Sequence, residues 1–154
     1  MIDCPVSSKL DTPYMILGFA TKMYNNFEYT YDGISDLFDS MKFPAECYNR
    51  LVTSIFKDDC DGFHAAVYHI AYKNKLETYL LTYVTRTLIG SHTVCLIKYL
   101  NRYWVVDYNS LLVKDSLEGV LNETIKRRHE ELLTYNLTEF NYNSGKYEIV
   151  GKEI

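Results

Sequence analysis

The chain has 154 residues, with 16 Lys and Arg against 20 Asp and Glu, a formal net charge of −4. That length suits one domain, residues 1–154, and 47% hydrophobic residues supply a core that needs no metal or disulfide staple. The acidic balance, with no basic stripe beyond Lys126-Arg127-Arg128, argues against nucleic acid as a partner, and no apolar run approaches the roughly 18 residues of a membrane span.

Cys4, Cys47, Cys60 and Cys95 form no CxxC pair and are too few for a stapled secreted scaffold. Met1-Ile-Asp-Cys-Pro carries an early acid and no basic segment, unlike a signal peptide. Both features point to a reducing, cytoplasmic compartment, in which Asn122-Glu-Thr and Asn136-Leu-Thr match the glycosylation pattern by chance. The chain holds 15 Tyr and no Gln.

In chain order, Thr12 and Pro13 read as the cap and first residue of a helix over Tyr14 to Met23. Ser35 opens a short helix through Met41, and Pro44 opens a longer one over Ala45 to Phe56, with Cys47, Leu51, Val52 and Ile55 at helical spacing. Cys60 begins the next helix, whose buried stripe is Phe63, Ala66, Val67 and Ile70. Thr78 to Thr85, Thr93 to Leu100 and Tyr103 to Tyr108 are rich in Tyr, Leu, Val and Thr and read as strands, the last two forming a hairpin. Asp115 or Ser116 caps a helix with Leu117, Val120, Leu121, Ile125 and Leu132 inward. Leu137 to Tyr142 and Lys146 to Val150 form a closing hairpin around Asn143-Ser144-Gly145. The expected class is α+β, with a core over about 23–112 and a helix-and-hairpin extension over 115–150.

A nucleophilic cysteine must reach the thiolate cheaply, and a helix amino terminus favours that anion. Cys60 occupies such a position. It needs a base, and His92 follows 32 positions later at a strand start; the imidazole needs an orienting acceptor, and Asp107 follows 15 positions further on the return strand. In a hairpin with a two- or four-residue loop, opposed residue numbers sum to an odd value, so His92 and Asp107 share a face. A loop at Lys98 to Asn101 opposes them directly. One at Leu100-Asn101 leaves them diagonal, at roughly 7–8 Å, and one at Asn101-Arg102 moves them further apart.

The segments Met23-Tyr-Asn-Asn-Phe-Glu-Tyr, Pro44-Ala-Glu, Asp59-Cys60-Asp61-Gly62-Phe63-His64-Ala65-Ala66, Ser91-His92-Thr-Val and Tyr103-Trp104-Val-Val-Asp107 resemble the transglutaminase-like superfamily, above all its bacterial cysteine-protease-like branch. The resemblance runs over Met23 to Asn109. It implies a papain-like fold, with a Cys at a helix start packed on an antiparallel sheet that carries His and Asp. It also implies that Cys60, His92 and Asp107 are nucleophile, base and orienting acid. The pattern departs at Asp58, where the family has Gly, and at Gly62 and His64, where it has an acid followed directly by an aromatic residue and Ala. Asp59-Cys60-Asp61-Gly62-Phe63 also resembles the NlpC-type cell-wall peptidases, but the Gly-Asp segment that they carry before their histidine is absent.

The expected activity is acyl chemistry on an amide-type protein or peptide substrate through a thioester, by a cysteine protease or amidase or by a transamidase, without cofactor or metal. The oxyanion donor is not a Gln side chain; the Cys60 N–H, Asn25, Asn26, Asn49, a Tyr or a second backbone N–H remain. The opposing class is an inactive transglutaminase-like binding or inhibitor module, which a Tyr/Asn/Lys-rich composition would suit in a virus or phage. Cys4, Cys47 and Cys95 read as core thiols, and His64 and His69 as packing or surface histidines, with His64 the competing partner for Cys60. A zinc site from Cys60, Asp61, His64 and His92 lacks ligand-pair spacing.

Overall fold

A computed structural model describes residues 10–29, 43–53, 56–58, 60–86, 92–128 and 131–151. The expected helix after Ser35, together with Cys4, Asp59 and Ser91, lies outside the described residues. The described chain is α+β, with four helices, a six-stranded antiparallel sheet and a two-stranded parallel ribbon.

Helix α1 (Pro13–Tyr24) begins where Thr12, in extended backbone, accepts a hydrogen bond from the Met15 N–H at 3.3 Å, with Pro13 at the position that lacks a partner anyway. Strand β1 (Phe27–Tyr29) pairs in parallel with β2 (Phe56–Asp58), which follows α2 (Pro44–Thr53). Helix α2 ends at Thr53, and Phe56 belongs to β2 rather than to the helix.

Helix α3 (Cys60–Lys73) is the hub. Its residues Cys60 and Gly62 to Ala71 are all buried, because α1 and α2 cover one side and the sheet covers the other. The small side chains of Ala65, Ala66 and Ala71 allow that close approach. Strands β3 (Glu77–Thr85), β4 (His92–Tyr99), β5 (Arg102–Asp107) and β6 (Ser110–Lys114) make an antiparallel meander. β6 is not in the sequence reading; Ser-Leu-Leu-Val-Lys is short, and it forms because Tyr108-Asn109 turns the chain back along β5.

Helix α4 (Leu117–Arg128) covers the sheet's other face, so β4 is buried on both sides from His92 to Ile97. Ser116 caps it, its Oγ accepting from the Gly119 N–H at 3.0 Å, while Asp115 accepts from Arg102 Nε at 3.0 Å. The helix stops at Arg128, so Leu132 does not lie on its inward face as expected but starts β7 (Leu132–Asn141). The free edge of β3 explains the difference: β7 fills it over Leu80↔Thr138 to Thr85↔Leu132, satisfying a ladder that a longer helix would leave open. β8 (Lys146–Gly151) adds the last strand, giving the order β6-β5-β4-β3-β7-β8. The expected extension therefore shares one sheet with the rest. The Tyr68 hydroxyl of α3 accepts the Phe140 N–H at 2.9 Å and ties β7 to the hub.

The β4–β5 loop is Leu100-Asn101, with φ of 51° and 59°. Those two left-handed residues make the turn that matches strand twist, but Leu is costly there and its side chain is 75% exposed. Leu100→Asn should raise unfolding free energy by about 0.5–1 kcal/mol, read from urea denaturation; an unchanged or lower midpoint would contradict this account of the turn.

Candidate active site

Cys60, the first residue of α3, is buried, and its Sγ lies 3.8 Å from Asp61 Oδ1. The contact places a carboxylate charge beside the thiol, which disfavours a thiolate. The positive end of the helix dipole acts in the opposite sense.

The ladder from Tyr99↔Arg102 to Cys95↔Val106 sets Val94 opposite Asp107 and leaves His92 diagonal to it. This is the register that a Leu100-Asn101 loop requires. From that diagonal, His92 Nε2 meets Asp107 Oδ1 at 2.8 Å. A carboxylate only accepts, so Nε2 carries the proton and donates it, and the ring's lone pair is on Nδ1. His92 is 6% exposed, with its ring against those of Tyr83 (5.7 Å), His64 (5.6 Å) and Tyr108 (5.7 Å). The Asp107 side chain is 35% exposed. On the α4 side it borders a cavity of about 40 Å³ shared with Ser110, Thr124 and Arg127, large enough for only a small group.

In the pleat, His92 and Asp107 fall in step with Val94 and Val105, which pack toward α4, whereas Cys60 opens the helix on the other face. His64 joins the two at the end of the sheet. It sits one helical turn beyond Cys60 and is fully buried. Its Nδ1 is 2.8 Å from the Cys60 carbonyl oxygen, and its Nε2 is 2.9 Å from the Tyr108 backbone nitrogen. A carbonyl cannot donate and an amide N–H cannot accept, so His64 is neutral, protonated on Nδ1 and accepting on Nε2. Burial, reinforced by His92, holds its pKa down to about 4, against smaller opposing pulls from Asp107 and the Cys60 carbonyl.

Both ring nitrogens of His64 are thus occupied by backbone, which removes it as the competing base for Cys60. Its Nε2 is also 4.0 Å from Asp107 Oδ1, too far for a hydrogen bond. Tyr108 has φ of +52°, a conformation that costs an aromatic residue about 1 kcal/mol. The bond to His64 and a 2.9 Å bond from Ser110 Oγ to the Asp107 carbonyl hold that turn. Sequence reasoning missed this role; the signal was the i, i+4 spacing of His64 to Cys60.

Aromatic rings close the inner side. Phe63 touches Phe27 (4.9 Å), Tyr108 (5.1 Å) and Tyr24 (6.1 Å), and Tyr24 reaches solvent. Of the expected oxyanion donors, Asn26 Nδ2 donates to the Leu51 carbonyl at 3.4 Å, Asn25 caps α1, and Asn49 is exposed on α2. His69 is elsewhere on α3, with Nδ1 2.9 Å from the Tyr142 hydroxyl. Cys47 and Cys95 are buried and outside any disulfide, and burial pushes the Cys95 thiol upward. Among the described residues, no three His, Cys, Asp or Glu side chains are placed to hold a metal ion, and no helix is long and apolar enough to cross a membrane.

In comparisons with known proteins, no family model and no curated protein matches the chain.

The titration of His64 gives a stability prediction. Its folded pKa of about 4 lies below the ordinary 6.5, so its contribution is complete above pH 6.5 and is lost as pH falls toward 4. The slope it adds is at most about 1.4 kcal/mol per pH unit. Urea denaturation of His64→Asn should show a flatter dependence between pH 6.5 and 4 than the parent chain; parallel slopes would contradict the neutral, buried state.

Proposed function

We propose that this chain performs thiol-dependent acyl chemistry on an amide-type protein or peptide substrate, with Cys60 as nucleophile, His92 as base and Asp107 as orienting acid. The observation that carries the reading is the 2.8 Å bond from His92 Nε2 to Asp107 Oδ1, which leaves Nδ1 as the basic nitrogen. Cys60 at the start of a buried helix, joined through His64 to the Asp107-Tyr108 turn, supports it further. A helix opening on Cys and packed on an antiparallel sheet whose successive strands carry His and Asp is the arrangement expected of a transglutaminase-like, papain-like core.

In this reading His92 Nδ1 takes the Cys60 thiol proton as Sγ bonds to the acyl carbon. The C–N bond then breaks, and the departing amine takes that proton, leaving a thioester. Attack by water makes the protein a protease or amidase; attack by a second amine makes it a transamidase. Either attack releases the Cys60 thiol. The Cys60 N–H is a candidate oxyanion donor, and a Gln side chain is not, since the chain contains no Gln. Among the described residues, Cys47, Cys60 and Cys95 are buried cysteines outside any disulfide, which fits a cytoplasmic setting.

A second reading rests on the Cys60 to Asp61 contact at 3.8 Å. A carboxylate beside the sulfur opposes thiolate formation and favours an inactive binding or inhibitor module on the same scaffold.

Alkylation separates the two. At pH 7, iodoacetamide should label Cys60 at least about tenfold faster in the parent chain than in His92→Ala, with Asp107→Asn between them, the effect of raising the thiol pKa by about one unit. A labelling rate indifferent to His92→Ala would sink the enzymatic reading, and full biological activity in Cys60→Ala would establish the binding module. Mass spectrometry of peptide substrates with added primary amine assigns the acceptor: a product heavier by the incorporated amine means transamidation.

A further inference from the structure

The sequence resemblance leaves His64 without a task, since its family pattern has no histidine one turn after the cysteine. The structure nonetheless gives His64 contacts with every part of the candidate site. It is fully buried on α3, bonded at one end to the carbonyl of Cys60 and at the other to the backbone N–H of Tyr108, the residue after Asp107. Its ring meets that of His92 edge-on at 5.6 Å and that of Tyr108 at 4.7 Å.

We infer that His64 is a positioning residue: a neutral, two-ended backbone clamp that fixes the Cys60 end of α3 against the turn carrying Asp107 and keeps that carboxylate committed to His92. The inference rests on the proposed Cys60-His92-Asp107 chemistry and assigns a further residue to it.

Three features lead to this role. First, Cys60 opens a helix on one side of the sheet, while His92 and Asp107 stand in step with the side chains on the other. The bond pair of His64 crosses that boundary, linking the helix that Cys60 opens to the turn that follows Asp107. Second, Tyr108 holds a left-handed backbone, so the direction of the adjacent Asp107 depends on whatever retains that turn. The His64 acceptor retains it from inside the core. Third, the clamp works in one protonation state only. With Nε2 unprotonated it accepts the Tyr108 N–H. With Nε2 protonated, two donors face each other, the bond fails, and a positive ring with its Nε2 4.0 Å from Asp107 Oδ1 attracts the carboxylate that His92 holds. Burial keeps the ring neutral through the ordinary pH range. The titratable groups facing it are His92 from β4 and Asp107 and Tyr108 from the β5–β6 turn, while from its own helix it meets the Cys60 backbone carbonyl.

The clamp can be tested in the full chain by two measurements. Nitrogen-15 NMR of the imidazoles at pH 7 should find His64 protonated on Nδ1 alone. On acidification, the Tyr108 amide and the His92 ring should shift together with the protonation of His64. An Nε2–H ring, or a His92 signal indifferent to that step, would overturn the clamp without needing any variant. The rate of Cys60 alkylation against pH is the second measurement. In His64→Phe, which keeps the shape and loses both bonds, the curve should move upward by about one pH unit, a loss of about tenfold in rate at pH 7. His64→Gln, whose side-chain oxygen can accept from the Tyr108 N–H, should recover part of that loss. A folded His64→Phe with the parent curve would overturn the positioning role. If the parent chain itself shows an ordinary thiol curve unaffected by His92→Ala, the underlying chemistry fails, and the clamp as a positioning device fails with it.

Discussion

The arrangement depends on the burial of α3 on both sides. A helix that exposes no residue between Gly62 and Ala71 cannot tilt or slide without opening contacts to α1 and α2 on one side or to β3 and β4 on the other. Each large side chain among them, Phe63, Tyr68 and Ile70, contributes about 1.5–3 kcal/mol by leaving water. Cooperative packing of this kind makes the first turn of the helix, normally the part that frays, a fixed point. Cys60 inherits that rigidity. The polar groups that enter the hub follow the same constraint, since Tyr68 and His64 are both satisfied by backbone from the sheet or its turns.

The candidate site is built where two different periodicities meet. Helical spacing places His64 above Cys60, and strand alternation with a two-residue loop places His92 diagonal to Asp107. Neither periodicity brings the helical pair to the strand pair. That step is made by tertiary bonds to the Tyr108 turn, whose conformation is unfavourable in isolation. The site therefore draws its geometry from the core.

Much of this is legible in the amino-acid sequence, and the reasons differ from element to element. Thr12-Pro13 and the Asn143-Ser144-Gly145 turn declare themselves because cap and turn residues act locally. The β4–β5 register could be narrowed to a few cases because side chains alternate with a period of two, and the observed loop is one of them. Leu132 continues the helical pattern in sequence, but its membership of β7 is decided by the open edge of β3, nearly fifty residues away. β6 escaped because five residues of mixed character carry too weak a pattern, and its partner creates it. In His64 the residue type and spacing were visible, but its role depends on a backbone N–H 44 positions downstream, which no local pattern encodes.

The position of β7 between β3 and β8 also governs the order in which the molecule can be assembled. A polypeptide emerging from the ribosome can form the β3-to-β6 meander from neighbouring segments, with each strand meeting the next through a short connection. Yet one flank of β3 stays bare until residues 132–141 have been synthesised and have returned past α4. During that interval the nascent sheet presents a row of unpaired amide and carbonyl groups beside the apolar Leu80 and Leu81, a surface open to any other extended chain. The closing hairpin is thus the fold's own protection against association during synthesis, and it is the last part of the sheet to be made.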